Sequence, residues 1–468
     1  MVCGHEHAYA YHFARRTGRP TMDARGSTRV RDTRPGGARA PPDRGTDAPG
    51  PASPGGSPVT DLSPSQLQAV DTVVELIESG RSVVKLFGYA GTGKTTVARE
   101  IATSLPVPRD PDRIGVQFAA YTGKATHVLR QKGCHNARTI HSLIYEEVDT
   151  REEIKTLSSL LIEAQIKKDH EKQSLLINEI NRLKSHKGPR FRLRDKSDLS
   201  NTGCLILDEC SMISDEVLED LLSFGVPIIA LGDPAQLPPV EGVGSLIKET
   251  PDFLLTEVHR QSGRSPILSM ATRVREGGWL RPEERAGPLA VTHLLSVDQV
   301  IVGTKASRWQ ITSAMRLALG RNPVLPQPGD RIMCLRNNKN LGVLNGAQYL
   351  VLDIDFVPDR TDIVRLTVTD PAEYRARELS AYMAGFLDQE GQDWATRHGG
   401  HVTAAFTWSE AITCHKAQGS EWGSVAILDQ SYCFKPRKPD EPDNSARWMY
   451  TALTRASDQV YVTDRILT

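Results

Sequence analysis

Two short stretches carry the residue types that handle a nucleoside triphosphate. Gly88-Tyr-Ala-Gly-Thr-Gly-Lys-Thr95 fits GxxxxGK[ST], in which glycines let successive backbone N–H groups wrap a phosphate at a helix N-terminus. Lys94 places a point charge on the β- and γ-phosphates, and the Thr95 hydroxyl suits Mg²⁺. Gly88, Ala90, Gly91, Thr92, Gly93, Lys94, Thr95 and Thr96 are therefore expected around the phosphates. The second stretch, Cys204-Leu-Ile-Leu-Asp208-Glu209, is an apolar run ending in adjacent carboxylates. Asp208 fits a metal shell, and Glu209 is the natural general base for an attacking water. A kinase needs no such base, so the pair favours hydrolysis over phosphoryl transfer to a substrate. An accidental glycine-rich turn and a solvated Asp-Glu pair are the bland alternatives, and both weaken because each motif closes an apolar run. Gln236, in Gly232-Asp-Pro-Ala-Gln236, follows a third apolar run, Val226–Leu231. Ligands of parallel α/β sheets collect at the carboxyl ends of strands, where Gln236 is placed to sense a γ-phosphate.

These residues need a scaffold, and the flanking patterns supply an α/β one. Leu62-Ser-Pro-Ser-Gln66 opens an amphipathic helix with a Ser/Pro start signal. Val83–Phe87 reads as a buried strand running straight into the glycine loop, with a helical pattern from Thr96 onward.

From about Leu62 to the C-terminus, the motifs resemble those of superfamily 1 helicases, in particular the RecD/Dda-like branch that tracks 5′→3′ on single-stranded DNA. Gln66 matches the adenine-reading Q motif, Gly88–Thr95 motif I, Asp208-Glu209 motif II and Gly232–Gln236 motif III. Tyr121-Thr-Gly-Lys-Ala125 looks like motif Ia and Thr139-Ile-His-Ser142 like motif Ib. Leu255–Gln261 resembles the segment carrying a first arginine finger, Arg260, and Ile301–Lys305 the start of a second motor domain. Thr413–Ser420 is similar to motif V and Tyr450–Ala456 to motif VI, whose Arg455 is the second finger. The resemblance implies two RecA-like P-loop motor domains, a helical/pin insertion in the first and a small β-barrel insertion in the second. It implies ATP in the cleft, bound by Gln66, the loop residues and Gln418-Gly419, with Lys94, Glu209, Gln236, Arg260 and Arg455 catalytic and Thr95 and Asp208 on Mg²⁺. On the DNA side it implies Thr122, Lys124, Thr139, His141, Thr413 and His415, a mix of hydroxyl, cationic and imidazole groups suited to phosphate contacts.

The expected domains are motor domain 1 at 61–149 and 201–258, and motor domain 2 at 259–327 and 405–468. The insertion at 150–200 has Ile154, Leu157, Leu161 and Ala164 at 3-4-3 spacing and Leu176, Ile180 and Leu183 at 4-3 spacing. Lys168, Asp169 and His170 interrupt the pattern, which predicts a helical hairpin or a solvated arm. Gly188–Arg194 alternates basic and apolar residues where the family holds its strand-separating pin, making Phe191 the expected wedge. The insertion at 328–404 reads as β-rich, with a tight-turn signal at Asn345-Gly346.

Length and charge bound the rest. At 468 residues the chain holds about three domains, and its 57 basic and 57 acidic residues cancel, which excludes a globally basic nucleic-acid coat. Residues 1–60 are rich in Pro, Gly and Arg, with nine Arg and five acids, so a disordered tail of charge +4 precedes a body of −4. Seven scattered cysteines form no CxxC pair, and no apolar run reaches a membrane span of about 18 residues. The expected partners are single-stranded and forked duplex DNA, a single-strand-binding protein and replication or recombination proteins, in the cytoplasm of a bacterial or phage-infected cell. Other readings are a RecD-like motor subunit of an exonuclease/recombination complex, a kinase, and a non-enzymatic DNA-binding scaffold. The last would require replaced ATPase residues, whereas Lys94, Asp208, Glu209, Gln236, Arg260 and Arg455 are all in place.

Overall fold

Ser63 starts the first helix, α1 (Pro64–Glu78), through a reciprocal box: its hydroxyl accepts the Gln66 N–H while the Gln66 side chain accepts the Ser63 N–H. The computed structural model describes residues 62–106, 114–148, 150–185, 190–239, 244, 246–258, 265–338, 340–358, 360–370, 375–400 and 402–467. The expected tail at 1–60 and Arg260 lie outside these, as do Gly188 and Pro189. All that follows concerns the unit Ser63–Thr468.

The first lobe is built on a six-stranded parallel sheet, a pattern that needs a crossover after each strand and buries both faces. Its strands are β1 (Val83–Gly88), β2 (Ile114–Ala120) and β3 (Arg138–Thr139), then, after a separate ribbon of β4 (Tyr145–Val148) and β5 (Arg190–Leu193), β6 (Thr202–Asp208), β7 (Ile228–Gly232) and β8 (Phe253–Leu255). The order is β3-β2-β6-β7-β1-β8. Every residue of β7 is buried, as is most of β1 and β6, so the near-continuous apolar runs of the sequence are the sheet's interior strands. The crossover helices are α2 (Lys94–Ser104), α3 (Gly123–Gln131) and the short α4 (Ile140–Ile144).

The 150–200 segment forms two helices, α5 (Thr150–Ile166) and α6 (His170–Ser185), which pack through Ala164, Ile180 and Leu183. Lys168 turns the chain at φ 55, and the Asp169 carboxylate accepts the Lys172 N–H to start α6. Both helices rise from the antiparallel β4–β5 ribbon, in which Phe191 pairs with Glu147. Thus the alternating stretch 190–193 is the return strand at the base of the arm.

After α7 (Asp215–Leu222), the helix α8 (Pro266–Arg275) leads into the second lobe. Here β9 (Leu289–Ala290) and α9 (Val291–Leu294) precede β10 (Gln299–Val302) and α10 (Lys305–Ala318). The 328–404 insertion contributes β11 (Arg331–Cys334), β12 (Gln348–Phe356), β13 (Ile363–Thr369), β14 (Ala376–Tyr382), α11 (Gln389–His398), β15 (Thr403–Ala404) and β16 (Phe406–Trp408). These strands form one sheet, β15-β14-β13-β12-β11-β16, so it extends to Trp408, four residues past the expected boundary at 404. Its two edges, β15 and β16, are separated in sequence by Ala405 alone, which requires the sheet to curl round on itself. The chain then returns as β17 (Ala411–Thr413), α12 (Cys414–Ala417), β18 (Trp422–Leu428), α13 (Ser445–Leu453), β19 (Ala456–Thr463) and β20 (Ile466–Leu467). The second parallel sheet is ordered β17-β10-β18-β19.

Arg316 on α10 fastens the curled sheet to this lobe. It is fully buried, pairs with Asp330 and Glu410 at 3.0 Å each and lies 3.4 Å from the Trp408 ring centroid. Removing one partner from such a cluster leaves uncompensated buried charge, at a cost of about 3–5 kcal/mol. Asp330→Ala should therefore lower the free energy of unfolding by an amount in that range, obtained from urea titrations read by near-ultraviolet circular dichroism.

Candidate nucleotide and nucleic-acid site

The chain leaves β1 at Gly88 and forms a loop that is already folded. Gly91 and Gly93 sit at φ 79 and 82, and Lys94 then opens α2. The Lys94 ammonium donates to Gly88 O (2.7 Å) and Tyr89 O (3.1 Å), and the buried Thr92 hydroxyl donates to Tyr89 O (2.9 Å). Thr95 and Thr96 follow in the first turn, half-buried. Gln66 Nε2 donates to Thr92 O at 3.1 Å while its Oε1 accepts the Ser63 N–H. The Gln66 amide is thus bound on both sides by backbone and braces the loop. A methyl group at Gly93 would sit 2.5 Å from Gln66 Nε2.

Strand β6 delivers Asp208, and Glu209 follows at φ 55, ψ 43. A left-handed conformation costs a non-glycine residue about 1–2 kcal/mol and persists only where its surroundings hold it. Here the Glu209 N–H donates to Asp208 Oδ1 at 2.9 Å, and Met212 N donates to Glu209 O. Burial pushes both carboxyls above their usual range, and the charge of Asp208 adds to the effect on Glu209. The Lys94 ammonium pulls Asp208 back down, and the Arg455 guanidinium does the same for Glu209. Two adjacent carboxylates whose ionisation is opposed by burial fit a hard dication, which takes one or two carboxylates and fills its remaining positions with phosphate and water. Among the described residues no larger His/Cys/Asp/Glu cluster exists. Gln236 is buried, and its Oε1 has no hydrogen-bond partner, leaving an acceptor of the kind that orients a water.

The second lobe closes over these groups. Arg455 is buried and fixed by its own lobe, with Nε donating to Thr451 O (3.0 Å) and its terminal nitrogens to Ser420 O and Thr454 Oγ1 (3.1 Å each). Three further bonds cross between the lobes around residues 233–237. The Tyr450 hydroxyl donates to Asp233 Oδ2 (2.7 Å), Leu237 N donates to Thr451 Oγ1 (3.0 Å), and Gln418 Nε2 donates to Leu237 O (3.1 Å). Gln418, expected to bind nucleotide, therefore engages the segment after Gln236. Tyr450 also accepts the Ala90 N–H (3.0 Å), and Arg275 lies 3.7 Å over the Tyr89 ring. Asp233, Arg275, Tyr450 and Thr451 were not anticipated as site residues. Three of them lie inside quoted motifs, but Arg275 shows no signal beyond its position in a helix.

The expected DNA-side residues gather at the carboxyl ends of the parallel strands. Thr122 and Thr139 cap α3 and α4 by accepting the N–H groups of Ala125 (3.1 Å) and Ser142 (3.3 Å), and Thr413 opens α12. Lys124 spans the lobes, its ammonium 4.5 Å from the Trp422 ring, and burial pushes it down to about 8. Gly419, at φ 70, packs against Ala125. His141 lies 5.5 Å from Tyr121, 5.4 Å from Tyr145 and 5.8 Å from Phe191, which is half-exposed. Burial lowers the pKa of His141 and of His415, which packs 5.8 Å from Phe434. Burial thus disfavours the charged form of both rings, and the one lysine or arginine in the expected DNA set is Lys124.

Residues 61–281 match the AAA domain family, and residues 409–463 match the UvrD-like helicase C-terminal domain. The ATP-dependent RecD2 DNA helicase of Deinococcus radiodurans is 24% identical over 442 residues, covering 86% of this chain and 48% of that protein. The ATP-dependent DNA helicase dda of Enterobacteria phage T4 is 29% identical over 230 residues, 47% of this chain and 44% of that one. The chain spans about half the length of these curated relatives. A Pif1 helicase structure described for DNA unwinding at forked dsDNA superposes with a TM-score of 0.50 at 18% identity, covering 87% of this chain and 93% of that one, and so shares its fold.

Gly93→Ala combines a left-handed φ with a clash against Gln66, and should weaken nucleotide binding by tenfold or more. Calorimetric titration with ADP checks this, with circular dichroism to verify the fold.

Proposed function

We propose that this chain, a relative of the RecD/Dda-type superfamily 1 helicases, is an ATP-dependent DNA helicase that moves 5′→3′ along single-stranded DNA. The observation that carries this reading is a strained catalytic carboxylate, Glu209, under the charge of Arg455 from the opposite lobe. In this arrangement hydrolysis depends on how the lobes are placed, which is what converts an ATPase into a motor.

The mechanism follows from the residues. The loop N–H groups and Lys94 orient the triphosphate, and Glu209 takes the proton of a water oriented by Gln236 Oε1. Arg455, held ready by Thr451, Ser420 and Thr454, neutralises charge developing on the γ-phosphate. Thr95 and Asp208 would hold Mg²⁺, which supplies further neutralisation of the phosphates when bound. Loss of the γ-phosphate then loosens the seam between the lobes, and the strand lying across Thr122, Lys124, Thr139, Thr413 and His415 advances. Contacts of this type read backbone and not sequence. The β4–β5 ribbon presents Phe191 as the wedge against the last base pair of a forked duplex, and the α5–α6 arm extends from it. A single-strand-binding protein and replication or recombination factors in a bacterial or phage-infected cell are the natural partners.

The deciding measurement is ATPase with and without single-stranded DNA, followed by unwinding of 5′- and 3′-tailed forks. ATPase stimulation by DNA and unwinding of the 5′-tailed fork are expected. DNA-independent hydrolysis would refute the helicase reading, and a 3′-tail requirement would refute the polarity. Lys94→Ala should abolish both activities, whereas Phe191→Ala should impair unwinding and spare hydrolysis.

The lowered pKa of Lys124 gives a second test. Its charge is present below about 8 and is lost as pH rises through that value. Single-strand affinity should fall about three- to tenfold from pH 7 to 9, as expected for one phosphate contact. In Lys124→Arg, which stays charged, fluorescence anisotropy should show that decline removed.

A further inference from the structure

The phosphate loop is held from the second lobe at two adjacent residues. At Ala90 the backbone N–H donates to Tyr450 Oη at 3.0 Å, while the same hydroxyl donates its proton to Asp233 Oδ2 at 2.7 Å. At Tyr89 the ring lies under the Arg275 guanidinium at 3.7 Å. Tyr450 comes from α13 and Arg275 from α8, two helices packed on each other, so the grip moves as one piece. The other bonds shaping the loop come from its own lobe: Lys94 and Thr92 to its carbonyls, and Gln66 to Thr92.

Asp233 is almost fully buried, and Oδ1 is already used by the Ala235 N–H. Separating the lobes strips Oδ2 of this donor, which water must then replace. Filling the loop has a different consequence. A phosphate oxygen and the Tyr450 hydroxyl are both acceptors, and Ala90 offers a single N–H. Phosphate at this position and the lobe contact therefore compete for one donor.

We infer that Tyr450 and Arg275 are positioning residues forming a latch between the second lobe and the phosphate loop, which nucleotide must displace at Ala90. The latch links loop occupancy to lobe placement separately from Arg455, which acts on the γ-phosphate itself. The inference rests on the ATPase reading only for its catalytic arm; its binding arm stands on the loop geometry alone.

The test is Tyr450→Phe, which keeps the ring and removes the hydroxyl. Freeing the Ala90 N–H should tighten binding of a non-hydrolysable ATP analogue about three- to tenfold, the range of one neutral hydrogen bond. Loss of the linkage should at the same time lower kcat with saturating single-stranded DNA by roughly tenfold, so that KM and kcat fall together. Mere structural damage would instead raise KM. Arg275→Gln removes the ring contact with no change at Ala90, and should lower the DNA-stimulated kcat about threefold. If Tyr450→Phe does not fold, as judged by its melting curve, Arg275→Gln carries the test alone. Analogue affinity unchanged or weakened in a folded Tyr450→Phe, or unaltered stimulation in Arg275→Gln, overturns the latch. Absence of DNA-stimulated ATPase in the unmodified chain instead overturns the helicase reading and leaves the binding arm decisive.

Discussion

The negative charge buried at the end of β6 is the constraint around which the molecule is arranged. Asp208 and Glu209 are adjacent, half-buried and electrostatically opposed, a pair that water would disperse and the cleft does not. Compensation comes from Lys94 on the lobe's own loop and from Arg455 across the seam. Neither is optional. The parallel sheet brings the carboxyl ends of β1 and β6, two strands with β7 between them, to the same side so that the charge of Lys94 reaches Asp208, and the second lobe turns the end of α13 inward so that Arg455 acts on Glu209. The left-handed backbone at Glu209 is tolerated because Asp208 itself accepts the strained residue's N–H. Charge, strain and lobe placement are therefore one problem with one solution.

Features confined to a few consecutive residues were legible in the sequence. The glycine loop, the paired carboxylates and the arm's 3-4 apolar spacing all state their own geometry, because helix period and loop chemistry are local. What could not be read was whatever joins distant segments. The Tyr450–Asp233 bond links residues 217 positions apart, and Arg275 on Tyr89 has no pattern at either end. The ribbon's first strand, β4, is four residues long and finds its partner only after the whole arm has intervened, so period-2 alternation had no room to show. The curled sheet ran past its expected end because Ala405 alone separates two strands lying at opposite edges, a junction that carries no turn residue. The Gln66 amide also closes a helix cap and braces the loop, contacts that its burial sets and its residue type does not announce.

The cancelled net charge also acquires a physical location. Cations of the candidate site are placed singly and in low dielectric: Lys124 against Trp422 and Arg455 enclosed by three acceptors. A buried cation acts strongly over a short distance and weakly beyond it. Such a surface can hold a polyanion at a few points without holding it everywhere, as the proposed stepping along a strand would require.

The arm has a mechanical property that follows from its length. With 17 residues at 1.5 Å per residue, α5 extends about 25 Å from the ribbon. It is a stiff rod rooted on two short strands that also carry Phe191. Rotating the ribbon by about 10° would sweep the far end through about 4 Å, close to the 3.4 Å spacing of successive bases along a strand. Such a rod would turn a small angular displacement at its root into a linear one of about that size at its tip, and a lateral force at its tip into a torque on the ribbon.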